Sequence, residues 1–314
     1  MTRHSPETAA KKPKRTSNTA VTSRTKKLKP ARADMYMLRR SFLKFLAATP
    51  LGRLAAGLTA AFASAVAIYL DLAQIDVKKT AQRRAEEREI PLPYPRLRGS
   101  VSVEEALANR RSVREYRDEP LTVEELAQLL WAAYGISETA YGLRTAPSAG
   151  AQYPLELYAV VGERGVKSGD GYLPAGIYHY DIHAHSLTLR KSGDYREALY
   201  RAALEQEWVL KAPVSLVFTA VYSRTTRVYG ERGRVRYVPM DLGHAGQNVY
   251  LQATALGLGT VAVGAFYDDE IGEILDLPPE ETPLYIMPVG RPLTHYRLTE
   301  KELAQYYQRY RASR

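Results

Sequence analysis

Arg110-Arg111-Ser112-Val113-Arg114 gathers three guanidiniums and a hydroxyl within five residues. The segment in front of it opens at Ser102 with Glu105 three residues on, a capping-box spacing that predicts a helix running toward Asn109. The basic run therefore stands just past a helix end, and two readings compete there. Basic residues at a helix C-terminus ordinarily compensate its dipole and stay in solvent. The same residues suit a dianionic phosphate, because each guanidinium offers a planar fork of donors to phosphate oxygens. Alone, the cluster favours the first reading; what surrounds it decides.

Downstream, the hydrophobic period changes from segment to segment. Thr122 caps a helix over Val123–Tyr134, with Glu124 and Glu125 in the first turn, where the dipole favours acids. Runs rich in branched and aromatic residues predict strands at Leu155–Val161, Gly176–Asp181, Ser186–Arg190, Val214–Val221, Thr260–Val263 and Pro283–Val289. A long helix is expected from about Pro239 to Leu256, ended by Gly257, and a last one over Leu298–Tyr310. This is an α+β order, which argues against the regular alternation of a doubly wound domain.

Two further blocks carry candidate chemistry. Ala146-Pro147-Ser148-Ala149-Gly150-Ala151-Gln152-Tyr153-Pro154 stands immediately before a strand. Small residues bracketed by prolines let a backbone approach a flat ligand, with Ser148 and Gln152 as polar contacts; a plain turn has the same composition. Asp241-Leu242-Gly243-His244-Ala245-Gly246-Gln247-Asn248-Val249-Tyr250 leads through Ala253–Gly259 to Val263-Gly264-Ala265-Phe266. Its small residues allow close helix packing, and His244 is either a general base or a packed, hydrogen-bonded histidine. His179, His183 and His185 surround a strand turn and read as a hairpin with exposed histidines rather than a metal site. No H-E-x-x-H, EF-hand, Walker or G-x-S-x-G pattern occurs. The absence of cysteine excludes disulfides, thiolate zinc sites, iron–sulfur clusters and a cysteine nucleophile.

The chain has 314 residues and a formal net charge of +10, which by itself would suggest nucleic acid. The distribution argues otherwise: residues 1–40 hold twelve Lys/Arg against two Asp/Glu, leaving 32 of each sign in the rest. The excess belongs to a tail, residues 1–38, too poor in large apolar side chains to offset its ordering entropy and so read as disordered. No specific nucleic-acid site is expected, and the tail keeps only nonspecific phosphate affinity. Then come Leu38-Arg39-Arg40-Ser41-Phe42-Leu43-Lys44 and an apolar run, Phe45–Leu70, whose only charge is Arg53. Residues 39–70 resemble a twin-arginine export signal. Small-x-small sites at Ala63-Ser64-Ala65 and Ala65-Val66-Ala67 would allow cleavage, whereas residues 45–70 would equally serve as a retained membrane anchor with the domain outside. A buried helix of a soluble protein is the plain alternative. Residues 71–100 read as a charged linker, closed by the stiff Pro91-Leu92-Pro93-Tyr94-Pro95. The folded domain is expected over 101–292, followed by a C-terminal helical segment, 293–314.

Taken together and in this order, the three blocks resemble the nitroreductase superfamily across nearly all of Val101–Pro292. Within it they are most similar to the SagB-type (thiazoline-oxidase-like) dehydrogenases, which share the blocks P-S-A-G-A-x-Y-P and D-x-G-H-x-x-Q-N. The resemblance implies a central mixed or antiparallel sheet flanked by helices, FMN as cofactor, and a homodimer with FMN at the subunit interface. It implies that Arg110, Arg111, Ser112, Arg114 and Arg291 hold the phosphate and ribityl chain, and that Pro147, Ser148, Gly150 and Gln152 lie by the ring. Val263-Gly264-Ala265 would offer a backbone N–H near the flavin N5. Tyr229 and Tyr153 are the candidate proton donors. One departure stands out: azoline-oxidising members carry a Lys-Tyr pair before the D-x-G-H helix. Arg227-Val228-Tyr229-Gly230 keeps the tyrosine without the lysine's titratable amine, which argues against oxidation of peptide heterocycles. The expected activity is two-electron transfer to or from a small-molecule or peptide substrate, with NAD(P)H or a membrane redox partner as electron donor. A catalytically silent flavin- or partner-binding module is the alternative. Export and flavin fit each other, since a protein that binds FMN noncovalently must fold around it before translocation, as the twin-arginine route permits.

Overall fold

The computed structural model describes residues 89–313. The expectations for the basic tail, the twin-arginine-like segment and the charged stretch up to residue 88 lie outside the described residues.

Seven strands form one sheet: β1 (Glu89–Pro91), β2 (Leu155–Val161), β3 (Gly176–Asp181), β4 (Ser186–Ser192), β5 (Val214–Val221), β6 (Gly259–Thr260) and β7 (Glu281–Gly290). Their spatial order is β1-β4-β3-β2-β5-β7-β6, and every pairing is antiparallel. The helices are α1 (Val103–Asn109), α2 (Val123–Tyr134), α3 (Arg196–Ala202), α4 (Glu207–Lys211), α5 (Tyr222–Tyr229), α6 (Val238–Ala255), α7 (Asp268–Leu275) and α8 (Glu300–Ala312).

Side chains alternate along a strand, so each central strand feeds two cores. Leu155, Leu157, Ala159 and Val161 of β2, with Val214, Leu216, Phe218 and Ala220 of β5, face α2 and α6. Tyr158 and Val160 of β2, with Val217 of β5, face α3, α4 and α7, whose Leu199, Val209, Ile271 and Leu275 are fully buried. Because both faces are covered, β5 reads as an almost unbroken apolar run, the pattern more usual in parallel sheets.

The longer helices follow from local chemistry. Thr122 Oγ1 accepts the Glu125 N–H at 3.2 Å while Glu125 Oε2 accepts the Thr122 N–H at 2.8 Å, so two otherwise orphaned donors at the start of α2 are satisfied. Leu126, Leu129, Leu130 and Ala133 then recur at helical spacing and are buried. Ser102 caps α1 as expected, accepting from the Glu105 N–H at 3.0 Å. Thr299 and Glu302 form a third such cap at α8.

The structure corrects several expectations. The chain joins the sheet before the proline-rich stretch: Glu89–Pro91 pairs with Ser186–Thr188, and Leu92 N–H donates to His185 O at 3.1 Å. The strand expected over Thr260–Val263 pairs only at Gly259–Thr260, after which the chain leaves the sheet and returns for a single bridge between Val263 and Ile286. The turn between β3 and β4 is a hairpin, but only His183 is exposed. His185 Nε2–H donates to Pro93 O at 2.9 Å while Nδ1 accepts from the Tyr180 hydroxyl at 2.8 Å, tying the proline stretch to the sheet. No metal-binding cluster occurs among the described residues.

Candidate functional site

The Arg110–Arg114 segment runs extended from the end of α1 and lies beside β6. Ser112 bridges Thr260, and Val113 N–H donates to Thr260 O at 2.9 Å. Tyr116 anchors its far end, its buried hydroxyl donating to Val113 O at 2.8 Å and Pro288 O at 3.1 Å. Burial drives the ionisation of this phenol well above the ordinary tyrosine range, so it remains a neutral donor. A cavity of about 480 Å³ opens against the segment, lined by Asn109, Arg111, Ser112, Arg114, Thr260 and His295 among others.

None of Arg110, Arg111 and Arg114 forms an ion pair among the described residues. Each lies over an aromatic ring instead: Arg110 over Tyr250 at 5.1 Å, Arg111 over Tyr296 at 3.5 Å, and Arg114 over Trp208 at 5.2 Å. Arg111 also donates to the carbonyls of Ala108 and Arg110, at 3.0 and 2.7 Å. Ser112 Oγ and the Tyr250 hydroxyl are 3.1 Å apart, and that hydroxyl accepts the Ala262 N–H at 2.8 Å. The buried Thr260 Oγ1 has no partner. Glu115 also lines the cavity, but three positioned cations that form no ion pair, together with the Ser112 and Thr260 hydroxyls, form a donor set that fits a phosphate.

Arg291, expected beside this cluster, is engaged elsewhere. Its guanidinium pairs with Glu125 at 2.9 Å and with Glu119 at 3.4 Å. Two carboxylates, one of them the capping residue of α2, outcompete the cavity for this cation. The backbone of Pro147–Pro154 forms the second half of the site. Ser148 Oγ donates to Asp241 Oδ2 at 2.6 Å and accepts the Tyr153 N–H at 2.9 Å. Gly150, Ala151 and Tyr153 all have left-handed backbones, with φ of 59°, 52° and 46°. For two non-glycine residues this is strain, held in place by the Ser148–Asp241 clamp. At Gly150 the space is also closed: a Cβ there would lie 2.5 Å from the Tyr229 hydroxyl. Tyr229 is therefore brought directly to the block.

Tyr153 is not presented in the same way. Its ring packs edge-on to Tyr134 at 5.9 Å and under the Arg144 guanidinium at 4.6 Å, and its hydroxyl accepts the Arg144 N–H at 3.2 Å. Gln152 turns back to donate to Gly150 O at 2.7 Å. Pro147 and Gly150 are exposed at the lip, and His244, also exposed, reaches Pro147 O only at 3.4 Å, so it is neither buried nor tightly held. Asp241 is 2% exposed, and burial raises its pKa against the opposing pull of Ser148 and His244.

The two halves meet along α6. Asp241 holds Ser148 near its start, and Tyr250 holds Ser112 farther on, about 14 Å along the axis at ~1.5 Å per residue. In the Val263–Ala265 turn, Val263 N–H is taken by Ile286 O at 2.8 Å, whereas the N–H groups of the exposed Gly264 and Ala265 donate to no acceptor among the described residues. Sequence reasoning missed Tyr250 as the post that orients Ser112, although the residue closes the Asp241–Tyr250 block. It also missed Arg144, whose buried Nε and Nη1 have no partner and which no periodicity marks.

Behind Tyr153 lies an ionic group. Arg224 donates to Tyr153 O at 3.1 Å and pairs with Glu156 at 2.5 Å, and His179 Nε2 contacts the same carboxylate at 3.0 Å. Burial raises the Glu156 pKa, but the His179 hydrogen bond and the Arg224 charge outweigh it and hold this carboxyl below 4.5. A depressed folded pKa gives stability that is present above the unfolded value and lost as pH falls through the folded one. Glu156→Gln should therefore lower stability near neutrality by about 1–2 kcal/mol, discounted for the partly exposed Arg224, and flatten the fall in Tm on the acid side of about pH 4.5. Thermal melts across that range check it, and an unchanged acid limb would refute it.

The comparisons with known proteins align with this geometry. The family model described as the nitroreductase family matches residues 107–291. A nitroreductase-named protein of Methanocaldococcus jannaschii is 50% identical over 192 residues, 61% of this chain and 91% of that one. The FMN reductase (NADPH) of Bacillus subtilis is 24% identical over 193 residues, 60% of this chain and 65% of that one. The crystal structure of a nitroreductase-named protein of Ralstonia eutropha is 31% identical, with a TM-score of 0.57, covering 67% of this chain and 91% of that one.

Proposed function

Because the chain belongs to the nitroreductase family, we propose that it is an FMN-dependent oxidoreductase that moves two electrons to or from an organic substrate. The observation that carries the reading is the cavity at Arg111, Ser112 and Arg114, where Glu115 also lines the wall but neither cation is ion-paired, and the hydroxyls of Ser112 and Thr260 add donors. Bound FMN would supply hydride chemistry that no side chain of the site offers. The chain's own residues supply the rest. Arg110, Arg111, Arg114 and Ser112 hold the phosphate end, and the strained Pro147–Tyr153 backbone bounds the ring. The unclaimed N–H groups of Gly264 and Ala265 orient the ring edge, and the Tyr229 hydroxyl at Gly150 holds a proton there.

Helix α5 carries Arg227, Val228 and Tyr229 to the lip, and Arg227 Nε–H donates back to Ser223 O at 3.1 Å. No lysine occurs between Tyr222 and Tyr237, which favours a dehydrogenase or reductase of the SagB-type branch that does not oxidise peptide azolines. The relative named FMN reductase (NADPH) supports NAD(P)H as donor; a membrane redox partner suits the export reading of residues 39–70, in which the domain works outside the cytoplasm, either released or anchored by residues 45–70. A homodimer would let one copy's Pro147–Tyr153 block complete the other's phosphate cavity.

Purified protein mixed with FMN and desalted should stay yellow at one flavin per chain and bleach anaerobically with NADPH or a quinol. Protein that leaves the column colourless would sink the proposal, and bound flavin that no donor reduces would replace the enzyme with a binding module.

A further inference from the structure

Arg227 lies in the last turn of α5, Arg232, Arg234 and Arg236 lie between α5 and α6, and all four side chains are exposed. None makes an ion pair among the described residues. The acids nearby are Glu231, in the same segment, and Asp268, which with Arg234 acts on Tyr222. Residues 41–314 are neutral as a whole, so this is a local excess of positive charge without a carboxylate partner. Exposed Val228, Val235 and Met240 alternate with the arginines, 57%, 66% and 50% accessible, so the surface is mixed apolar and cationic.

The segment is firmly shaped. Gly230 has φ 57° and ψ −147°, a conformation open essentially to glycine alone. Residues Gly233–Tyr237 form a π-helical turn that runs on into α6, a rare element that recurs at functional sites. Gly233 is buried against Thr225, whose Cγ2 a Cβ would approach to 3.1 Å. Arg232 Nε–H donates to the Tyr237 hydroxyl at 3.1 Å, the Tyr237 ring meets Tyr229 edge-on at 4.9 Å, and the Tyr229 hydroxyl lies over Gly150. A shaped surface of unpaired arginines thus connects through two tyrosine rings to the lip of the candidate site.

We propose that Arg227–Arg236 is a recognition arm for a small organic anion, which its guanidiniums hold by carboxylate or phosphate while its apolar part reaches the Tyr229–Gly150 edge. The proposal rests on the reading that this edge faces the flavin. It names the substrate as negatively charged, which neither the fold nor the family relatives specify. Arg232 has a second duty in positioning Tyr237; Arg227 donates only to Ser223 O and Arg234 lies over the Tyr222 ring at 4.6 Å, so the charges of Arg227, Arg234 and Arg236 are left to serve the ligand.

The test compares 4-nitrobenzoate with its neutral methyl ester by titration calorimetry on the full chain, with and without FMN. The anion should bind at least about tenfold more tightly at low salt, the sum of several rim charge pairs of modest size, and the preference should shrink as ionic strength rises. R227Q/R234Q/R236Q should abolish the preference, leave ester binding unchanged and melt at the parent temperature. In the flavin-loaded protein, anion binding should also perturb the flavin absorbance. Equal affinity for acid and ester, or a preference that survives the triple variant, would overturn the arm. Arm-dependent binding to phosphatidylserine vesicles without 4-nitrobenzoate binding would likewise overturn it in favour of a lipid-binding patch. Failure to take up FMN would remove the enzyme reading, while calorimetry on the flavin-free chain still decides the arm.

Discussion

Replacing Arg111 and Arg114 together by glutamine is expected to weaken FMN binding by at least about a hundredfold. Each is available to make a charge-assisted hydrogen bond to phosphate, of roughly 1.5–3 kcal/mol, so two lost contacts amount to about 3–6 kcal/mol. At about 1.4 kcal/mol per decade, that is about two to four decades in Kd. The fold should barely notice, because neither guanidinium neutralises a carboxylate and no buried charge is stranded by their removal. Arg291→Gln makes the contrast. It leaves Glu125 and Glu119 without their cation and should lower Tm by a few degrees while keeping the FMN affinity. Fluorescence titration of FMN and melts of the flavin-free proteins separate the two effects. A double variant within about threefold of the parent affinity would mean that the phosphate sits elsewhere.

Phe218→Ala should be among the most damaging single changes to stability. Phe218 is fully buried in β5, opposite Leu157 of β2 and Tyr285 of β7, and it faces α2 and α6. Close-packed neighbours on paired strands cannot collapse into the space it would vacate, so the cost should sit in the range of about 3–5 kcal/mol for Phe→Ala. For a domain of this size that lowers Tm by about 6–20 °C. Phe218→Leu keeps most of the volume and should cost under about 2 kcal/mol. Urea and thermal unfolding measure both, and an alanine variant within about 1 kcal/mol of the parent would contradict a tightly packed centre.

Much of this architecture was legible because it is carried by local signals. Strands β2, β3 and β5 and helix α2 have the bounds that residue type and capping chemistry gave them. Helices α3, α4, α5 and α7 went unread: none exceeds eight residues, none has a side-chain cap, and helices so short form only against a surface already built. The site was legible as three blocks but not as a geometry. That Tyr229 meets Gly150 depends on a π-helical turn and a glycine-only bend with no periodic signature. The ion pairs of Arg291 were illegible for a related reason. Whether a cation serves a ligand or a neighbour is decided by carboxylates distant in sequence, here Glu119 and Glu125.

Strand β1 is three residues long, pairs only with β4, and forms the outer margin of the sheet. Mechanical load arriving from the residues before Glu89 would enter the domain through those few rungs and the Leu92–His185 bond behind them. Unlike the central strands, held on both sides, this ladder can open rung by rung, so it yields at far lower force than the core. The domain would thus have a mechanical fuse at its N-terminal side. A tug there peels away the hem and bares the edge of β4, leaving the Arg110–Arg114 cavity, at the other end of the sheet, under little strain.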